Sequence, residues 1–212
     1  CHVFFTFALL KSLEMIHVEK VSLSFGSTQV LKDLSFEVKE KDNICLTGPS
    51  GSGKSTVLKI LQGYLIPDQG RVKVNHLYLS PKNAKEIRSQ MVYIPQNVNL
   101  PVNNGYELLK LMNANEKIQQ MKQFLEKLDL NDGMLNREFD DMSGGQKQRV
   151  VIAACLSLDR KIILLDEPTS SLDTTAIKRL TEALSGLKNK TLISASHHQE
   201  WIRFTRKQVN LA

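Results

Sequence analysis

Apolar and polar residues alternate over residues 16–23 and again over residues 30–38, where Leu34, Phe36 and Val38 share one face. Both stretches predict strands, joined by a turn at Phe25-Gly26-Ser27. Residues 43–47 (Asn-Ile-Cys-Leu-Thr) form an apolar run that predicts a third strand, and Val57, Leu58, Ile60 and Leu61 recur at helical spacing until about Gly63. Pro67-Asp68-Gln69-Gly70 carries turn chemistry, followed by short strands at 71–74 and 77–79 and another at 91–94 that Pro95 stops. Residues 97–104 read as loop and 106–112 as helix. Ile118, Met121, Phe124, Leu125 and Leu128 then fall on one helix face, a spacing that belongs to core packing rather than to a ligand box. Ser143 stands where an N-cap is needed for a helix reaching about Leu158. Residues 161–165 read as a strand whose unbroken apolar run, Ile162 to Leu165, is the mark of burial on both faces. A helix over 174–187, a strand over 191–195, and a short helix with a last strand after Gln199 complete the pattern.

Strands alternating with helices predict an α/β core with a mostly parallel sheet, and the early strands predict an antiparallel β flank. Residues 97–142 lack strands and are expected to form a small helical lobe, with residues 15–96 and 143–212 making the core. Residues 1–14 are apolar but lack a basic leader and a small-residue cleavage site. They are read as an upstream or non-native extension before Met15, the alternative being a segment that tethers the protein to a partner.

The 212 residues suffice for a sizeable core, and the net charge of +6 suits ATP, nucleic acid or an anionic membrane surface without selecting among them. Three cysteines, Cys1, Cys45 and Cys155, form no pair with metal-ligand spacing. Two of them lie in apolar patterns, which predicts buried free thiols in a reducing compartment. No stretch is long enough to span a bilayer as a helix.

The chemistry concentrates at Gly48-Pro49-Ser50-Gly51-Ser52-Gly53-Lys54-Ser55-Thr56, between the third strand and its helix. The spacing G-x-x-x-x-G-K-[ST] in that context is a P-loop. Its glycines let successive N–H groups point into one concavity, and the helix start adds free donors and a positive dipole end. Lys54 is placed to reach the β- and γ-phosphates of a nucleoside triphosphate, and the Ser55 hydroxyl to sit on Mg²⁺. Further on, the buried strand 161–165 runs into Asp166-Glu167. Ligands lie at the carboxyl ends of parallel strands, so Asp166 is expected to face Mg²⁺ and Glu167 to orient and deprotonate an attacking water.

With Met142-Ser143-Gly144-Gly145-Gln146-Lys147-Gln148-Arg149 lying between these two motifs, the chain from Met15 onward resembles the ATP-binding cassette (ABC) ATPases, the motor subunits of ABC transporters. The resemblance implies the P-loop NTPase fold and ATP with Mg²⁺ as ligands. It implies that Phe25 stacks on adenine, for which a core phenylalanine at a strand end is the competing reading. Gln96 would reach Mg²⁺ and the attacking water, and Ser171-Leu172-Asp173 would lie across a dimer interface. His197 would contact the γ-phosphate; His198 beside it creates an ambiguity that Ser196-His197 resolves in the family's pattern. Ser143, Gly144, Gly145 and Gln146 would form a second phosphate cradle that closes on the P-loop of another cassette, so that two ATP molecules lie head-to-tail between two like or related chains. Met142 replaces the family's usual Leu, a volume-conserving exchange.

The resemblance further implies a cytoplasmic protein, peripheral on the membrane, that hydrolyses ATP to drive a separate integral membrane permease. The alternative is an ABC ATPase working on nucleic acid or ribosomes. Such relatives usually carry a coiled-coil insertion or two cassettes in one chain, and neither is present here, so nucleic acid is the less expected partner.

Overall fold

The computed structural model describes residues 14–211; the expected leader, apart from Glu14, lies outside the described residues. Strands β1 (Glu14–Phe25), β2 (Thr28–Lys39), β4 (Gln69–Val74) and β5 (Leu77–Tyr78) form an antiparallel sheet of order β2-β1-β4-β5. Strands β3 (Asn43–Thr47), β6 (Met91–Ile94), β7 (Ile162–Asp166), β8 (Thr191–Ala195) and β9 (Lys207–Asn210) form a second sheet, all parallel, of order β6-β7-β8-β3-β9. The expected antiparallel flank is therefore a sheet of its own, not an edge of the parallel one. Helices α1 (Lys54–Leu61), α2 (Ala84–Ser89), α3 (Gly105–Leu111), α4 (Ile118–Lys127), α5 (Gly144–Ser157), α6 (Thr174–Ser185) and α7 (Gln199–Phe204) complete the element order.

The continuous apolar strands have a direct explanation. Side chains alternate across a sheet, and here both faces are covered. Val92, Ile94, Ile163, Leu165, Cys45 and Leu192 enter one core with α3, α4, α5 and α6. Met91, Ile162, Leu164, Ile44, Leu46, Ile193 and Ala195 enter the other, against α1, α2 and the antiparallel sheet. Each of the Val, Leu, Ile and Met side chains among them contributes about 1.5–3 kcal/mol on burial. Residues 97–142 contain α3, α4, short 3-10 turns and no strand. Their apolar residues Leu108, Leu109, Met121, Leu125, Leu128, Leu135 and Phe139 are continuous with the α5 side of the first core. Cys45 and Cys155 are free and buried, as expected; burial pushes the Cys155 thiol up to about 12, which makes it inert near neutrality.

Glu19-Lys20, two polar residues in succession, marks a slip in the alternation of β1. There the pairing shifts register against both neighbours, and Lys20 and Asp33 take left-handed φ values of 48° and 47°. The irregularity is held by hydrogen bonds from Lys20 N to Ser35 Oγ (2.8 Å) and from Asp33 N to Ser22 Oγ (3.0 Å). Gly70 (φ +82°) crosses it so closely that a Cβ would lie 2.3 Å from Lys20 O and 2.4 Å from Glu19 O. A left-handed conformation and a backbone collision both penalise any side chain here. Gly70→Ala is expected to destabilise the protein by about 2–4 kcal/mol. The urea unfolding midpoint checks this; an unchanged midpoint would show that β4 can move aside without cost.

Candidate active site

β3 ends at Thr47, and the next residues turn back so that Gly53, in a left-handed conformation (φ 92°), caps α1 with no side-chain acceptor. The first-turn N–H groups of α1 are therefore directed into the loop rather than onto a capping side chain. Only glycine fits at 53: a Cβ would lie 2.8 Å from Leu31 Cδ2 and 3.1 Å from Val30 Cγ1. The β1–β2 hairpin thus sets the loop's shape from behind. Lys54 is buried, and its Nζ donates to Gly48 O and Pro49 O (2.9 Å each), which folds the ammonium over the loop. Ser52 Oγ is buried without a hydrogen-bond partner, and a Cβ at Gly48 would lie 2.6 Å from it.

The carboxyl end of β7 brings the second motif to this loop. Ser55 Oγ donates to Asp166 Oδ1 (2.9 Å), and Tyr93 Oη, from the neighbouring β6, donates to Asp166 Oδ2 (3.0 Å). Burial first, and the Asp166 charge and hydrogen bond after it, push the Tyr93 phenol well above its ordinary value, so it remains a donor. Glu167 adopts φ 42°, a left-handed conformation rare for a residue with a side chain. Its N–H is tied to Ala195 O (2.8 Å). Its carboxylate meets His197 Nδ1 at 2.9 Å through Oε1 and accepts from Ser196 Oγ at 3.2 Å through Oε2. A carboxylate facing Nδ1 places the ring proton there and leaves Nε2 toward the exposed side. The His197 side chain is 75% exposed whereas Glu167 is buried, so the histidine forms the lip and the glutamate the floor.

A cavity of about 510 Å³, a size suited to a small-molecule ligand, is lined by Ser50, Gly51, Gly53, Lys54, Ser55, Thr56, Gln96, Glu167 and His197, with Val30 and Pro49. Asp166 adjoins it through Ser55. Most of the expected site residues are thus assembled in one place from distant parts of the chain. His198 is not in the wall; it precedes α7, its N–H donating to Ser196 Oγ (3.1 Å). Phe25 is not in the wall either. It ends β1 beside the Gly26-Ser27 turn and is 51% exposed, which removes the reading as a core phenylalanine.

Ser143, Gly144, Gly145 and Gln146 lie outside the cavity wall. Ser143 caps α5 in a reciprocal capping box: its Oγ accepts from Gln146 N (3.3 Å), and Gln146 Oε1 accepts from Ser143 N (3.1 Å). Gly145 packs so tightly that a Cβ would lie 2.8 Å from Ser171 O. Buried Gln148 donates to Pro168 O (3.1 Å), which links the same helix to the segment after Glu167. Asp173 caps α6, its Oδ1 accepting from Ala176 N (2.7 Å).

Tyr93 is a site residue that motif reading misses; Ser196 enters the motif only as the residue before His197, and its hydrogen bond to Glu167 is not legible there. The signal for Tyr93 is its register: it pairs with Leu164, two residues before Asp166, on the adjacent strand.

The sequence profile of the ABC transporter family matches residues 31–170, which span both motifs and the capped start of α5. The chain belongs to the ABC transporter family. This cassette is 34% identical over 210 residues to the methionine import ATP-binding protein of Clostridium acetobutylicum, covering 93% of this chain and 65% of that one. It is also 34% identical over 190 residues to an energy-coupling factor transporter ATP-binding protein of Mycoplasma pneumoniae, covering 85% and 69%. A probable ABC transporter ATP-binding/permease protein of Haemophilus influenzae is 32% identical over 201 residues, of whose length the match takes 36%. The chain thus spans between about a third and two thirds of the length of several curated relatives it matches. Among solved structures, the dimeric form of a bacterial ABC transporter cassette superposes with a TM-score of 0.82 at 26% identity, covering 93% of this chain and 95% of that one. A dimeric post-hydrolysis state of an ATP-binding cassette bound to ADP and Pi superposes with a TM-score of 0.82 at 25% identity, covering 92% and 94%.

Among the described residues, no helix is long and apolar enough to cross a membrane.

Proposed function

We propose that this cassette binds ATP with Mg²⁺ in the cavity between the P-loop and β7 and hydrolyses it to power transport through a separate membrane permease. The observation that carries the reading is the convergence of Lys54, Ser55–Asp166 and Glu167–His197 on one cavity. The free N–H groups at the start of α1 and the Lys54 ammonium bind the phosphates. Ser55 Oγ, Asp166 and Gln96 are oxygen donors of the hard type that Mg²⁺ takes, and they are the residues that would hold it. When bound, Mg²⁺ neutralises charge on the β- and γ-phosphate oxygens. Glu167 accepts the proton of the water whose oxygen bonds to the γ-phosphorus, as the bond from that phosphorus to the β–γ bridging oxygen breaks. His197 and Ser196 orient the Glu167 carboxylate from two sides, and the His197 ring presents its other edge to the γ-phosphate. Phe25, exposed at a hairpin tip, offers an aromatic face for adenine.

The capped start of α5, outside the cavity, supports a second role. Ser143 and the N–H groups of Gly144 and Gly145 complete the site of a facing cassette, with Ser171-Leu172-Asp173 beside them. Two ATP molecules then hold two cassettes together, and loss of the γ-phosphate releases them. That cycle is what a cassette on the cytoplasmic face of the membrane would deliver to an integral permease.

The test is to measure the mass of the purified chain in solution with MgATP and with MgADP, alongside phosphate release. A dimer with MgATP only, together with turnover, is expected. A nucleotide-independent monomer that binds no ATP would overturn the reading.

Tyr93→Phe isolates one positioning contact. The hydroxyl fixes one oxygen of Asp166. A hydrogen bond of this kind is worth about 0.5–1.5 kcal/mol, so the variant should need about 2- to 10-fold more Mg²⁺ for half-maximal ATP binding. ATP binding in EDTA should be unchanged. Equal Mg²⁺ dependence in the two proteins would show that Ser55 and packing suffice to hold Asp166.

A further inference from the structure

At the opposite end of the parallel sheet lies a second cavity of about 520 Å³ that the nucleotide chemistry does not use. It opens where β3 and β8 begin, at Asn43 and Leu192, whereas the P-loop and His197 follow the other ends of these strands. Its floor is apolar: Leu184 from the last turn of α6, Leu187 just beyond, Leu192, and Phe204 at the end of α7. The Phe204 ring is braced by buried Trp201, centroid to centroid 5.4 Å, and its backbone carbonyl accepts from Asn43 Nδ2 (3.3 Å). The aromatic wall is therefore held in place before anything binds.

The rim is cationic. Lys41, Lys188, Lys190 and Arg206 line it, and among the described residues no carboxylate does. Lys190 is paired with Asp159 outside the lining, and the nearby Asp42 is engaged by Lys207 (2.6 Å). Lys41, Lys188 and Arg206 form no ion pair among the described residues. Arg206 is anchored through its own backbone, its N–H donating to Asn43 O (2.9 Å), and Lys41 N donates to Thr191 Oγ1 (2.9 Å). Three cations without ion-pair partners, each exposed to solvent, give the rim a positive potential that an anion would neutralise. A guanidinium and ammonium groups around a common space match a phosphate dianion, the guanidinium bidentately. The volume is that of a small-molecule site, and the combination of apolar floor with a few convergent charges is what such sites contain.

We propose that this cavity binds an organic phosphate: a phosphate monoester whose dianion is held by Lys41, Lys188 and Arg206 and whose apolar body rests on Phe204 and Leu187. A soluble metabolite and a lipid headgroup share that chemistry.

The test uses the chain with MgATP kept saturating, so that the P-loop is occupied and cannot report. Phenyl phosphate is titrated by calorimetry, with benzyl alcohol and inorganic phosphate as controls for the ring alone and the anion alone. Vesicles of phosphatidylcholine with and without phosphatidic acid form the second arm. The expected result is saturable binding of phenyl phosphate, tighter than that of either control. In Lys188→Glu/Arg206→Glu it should weaken by at least about tenfold, as the loss of charge-assisted contacts dictates. The MgATP affinity of that variant should be unchanged, which also shows that it is folded. Binding to phosphatidic acid vesicles in preference to phenyl phosphate would assign the site to a lipid headgroup; binding to phenyl phosphate alone would assign it to a soluble ester. The proposal is overturned if neither probe binds, if the charge-reversed protein binds equally well, or if inorganic phosphate binds as tightly as the ester. Because ATP binding is read separately in the same samples, a failure here is distinct from a failure of the nucleotide site.

Discussion

Glu167→Gln is expected to bind ATP as tightly as the wild-type cassette and to hydrolyse it about 10²- to 10⁴-fold more slowly, the span attributed to a positioned general base. The geometry makes the exchange a clean one. The amide has the shape of the carboxylate and can still take one hydrogen bond from His197 and one contact with Ser196, so the left-handed backbone at 167 keeps its side-chain anchors. On the proposed reading Glu167 would also add negative charge next to the phosphates, so its neutralisation is not expected to weaken ATP binding. Only the capacity to accept a proton is removed. Phosphate release at saturating MgATP, the dissociation constant for ATP and the mass in solution together decide the matter. Wild-type turnover would remove Glu167 from the reaction. Slow turnover with weak ATP binding would mean that the substitution had damaged the loop. Slow turnover with intact binding should be accompanied by an accumulated ATP-held dimer, because the step that releases the two cassettes is the one that has been blocked.

How far such residues can be read from the sequence depends on whether their signal is local. The P-loop is local: nine consecutive residues between a strand and a helix carry the motif, and seven of them, Pro49 to Gly51 and Gly53 to Thr56, line one cavity. The strands β6 and β8 are legible to the residue: β6 is an unbroken apolar run stopped by Pro95, and β8 is a short β-prone run, Thr-Leu-Ile-Ser-Ala, between Lys190 and Ser196. The helix α2 is not, because Ala84–Ser89 offers only Ala84 and Ile87 as buried positions, too few to define a face. The separation of the flank into its own sheet is also hidden. Strand pairing is a long-range property, and the alternation in β1 says which face is buried without saying against what. In the site, the Tyr93–Asp166 contact joins residues 73 positions apart in sequence and depends on β6 lying beside β7. Asp173 illustrates the opposite case. Motif resemblance assigns it to an interface, while its position just before α6 carries a simpler local message, and the carboxylate caps the helix. The two are compatible, because the cap uses only Oδ1 and leaves Oδ2 to accept elsewhere. The basic cavity leaves no motif at all, since its cations come from three separate connections, at 41, at 188 and 190, and at 206.

Lys54→Ala should weaken ATP binding itself, by about 10- to 150-fold, the equivalent of the 1.5–3 kcal/mol carried by a hydrogen bond to a charged group. The ammonium is buried, held 2.9 Å from two carbonyls of its own loop, and stands beside the free N–H groups of α1. It is therefore delivered to the phosphate position without a search among rotamers, and its charge is not screened as a surface lysine's would be. Truncation to alanine also releases the Gly48 and Pro49 carbonyls that it bridges, so part of the loss would come from a looser loop. The two contributions separate by experiment. Lys54→Met, which keeps an unbranched apolar chain but no charge, should lose nearly as much affinity if electrostatics dominates and much less if filling the loop dominates. Equilibrium binding of ATP to the three proteins, with thermal unfolding as a check on the fold, gives the answer, and unchanged affinity in Lys54→Ala would count against the phosphate cradle altogether. Read beside Glu167→Gln, the pattern is diagnostic: one substitution should leave the nucleotide bound and unreacted, the other should leave the reacting groups in place with too little nucleotide to act on. That contrast follows from the proposed division of labour in the cavity, in which the loop after β3 would bind and the carboxyl ends of β7 and β8 would react.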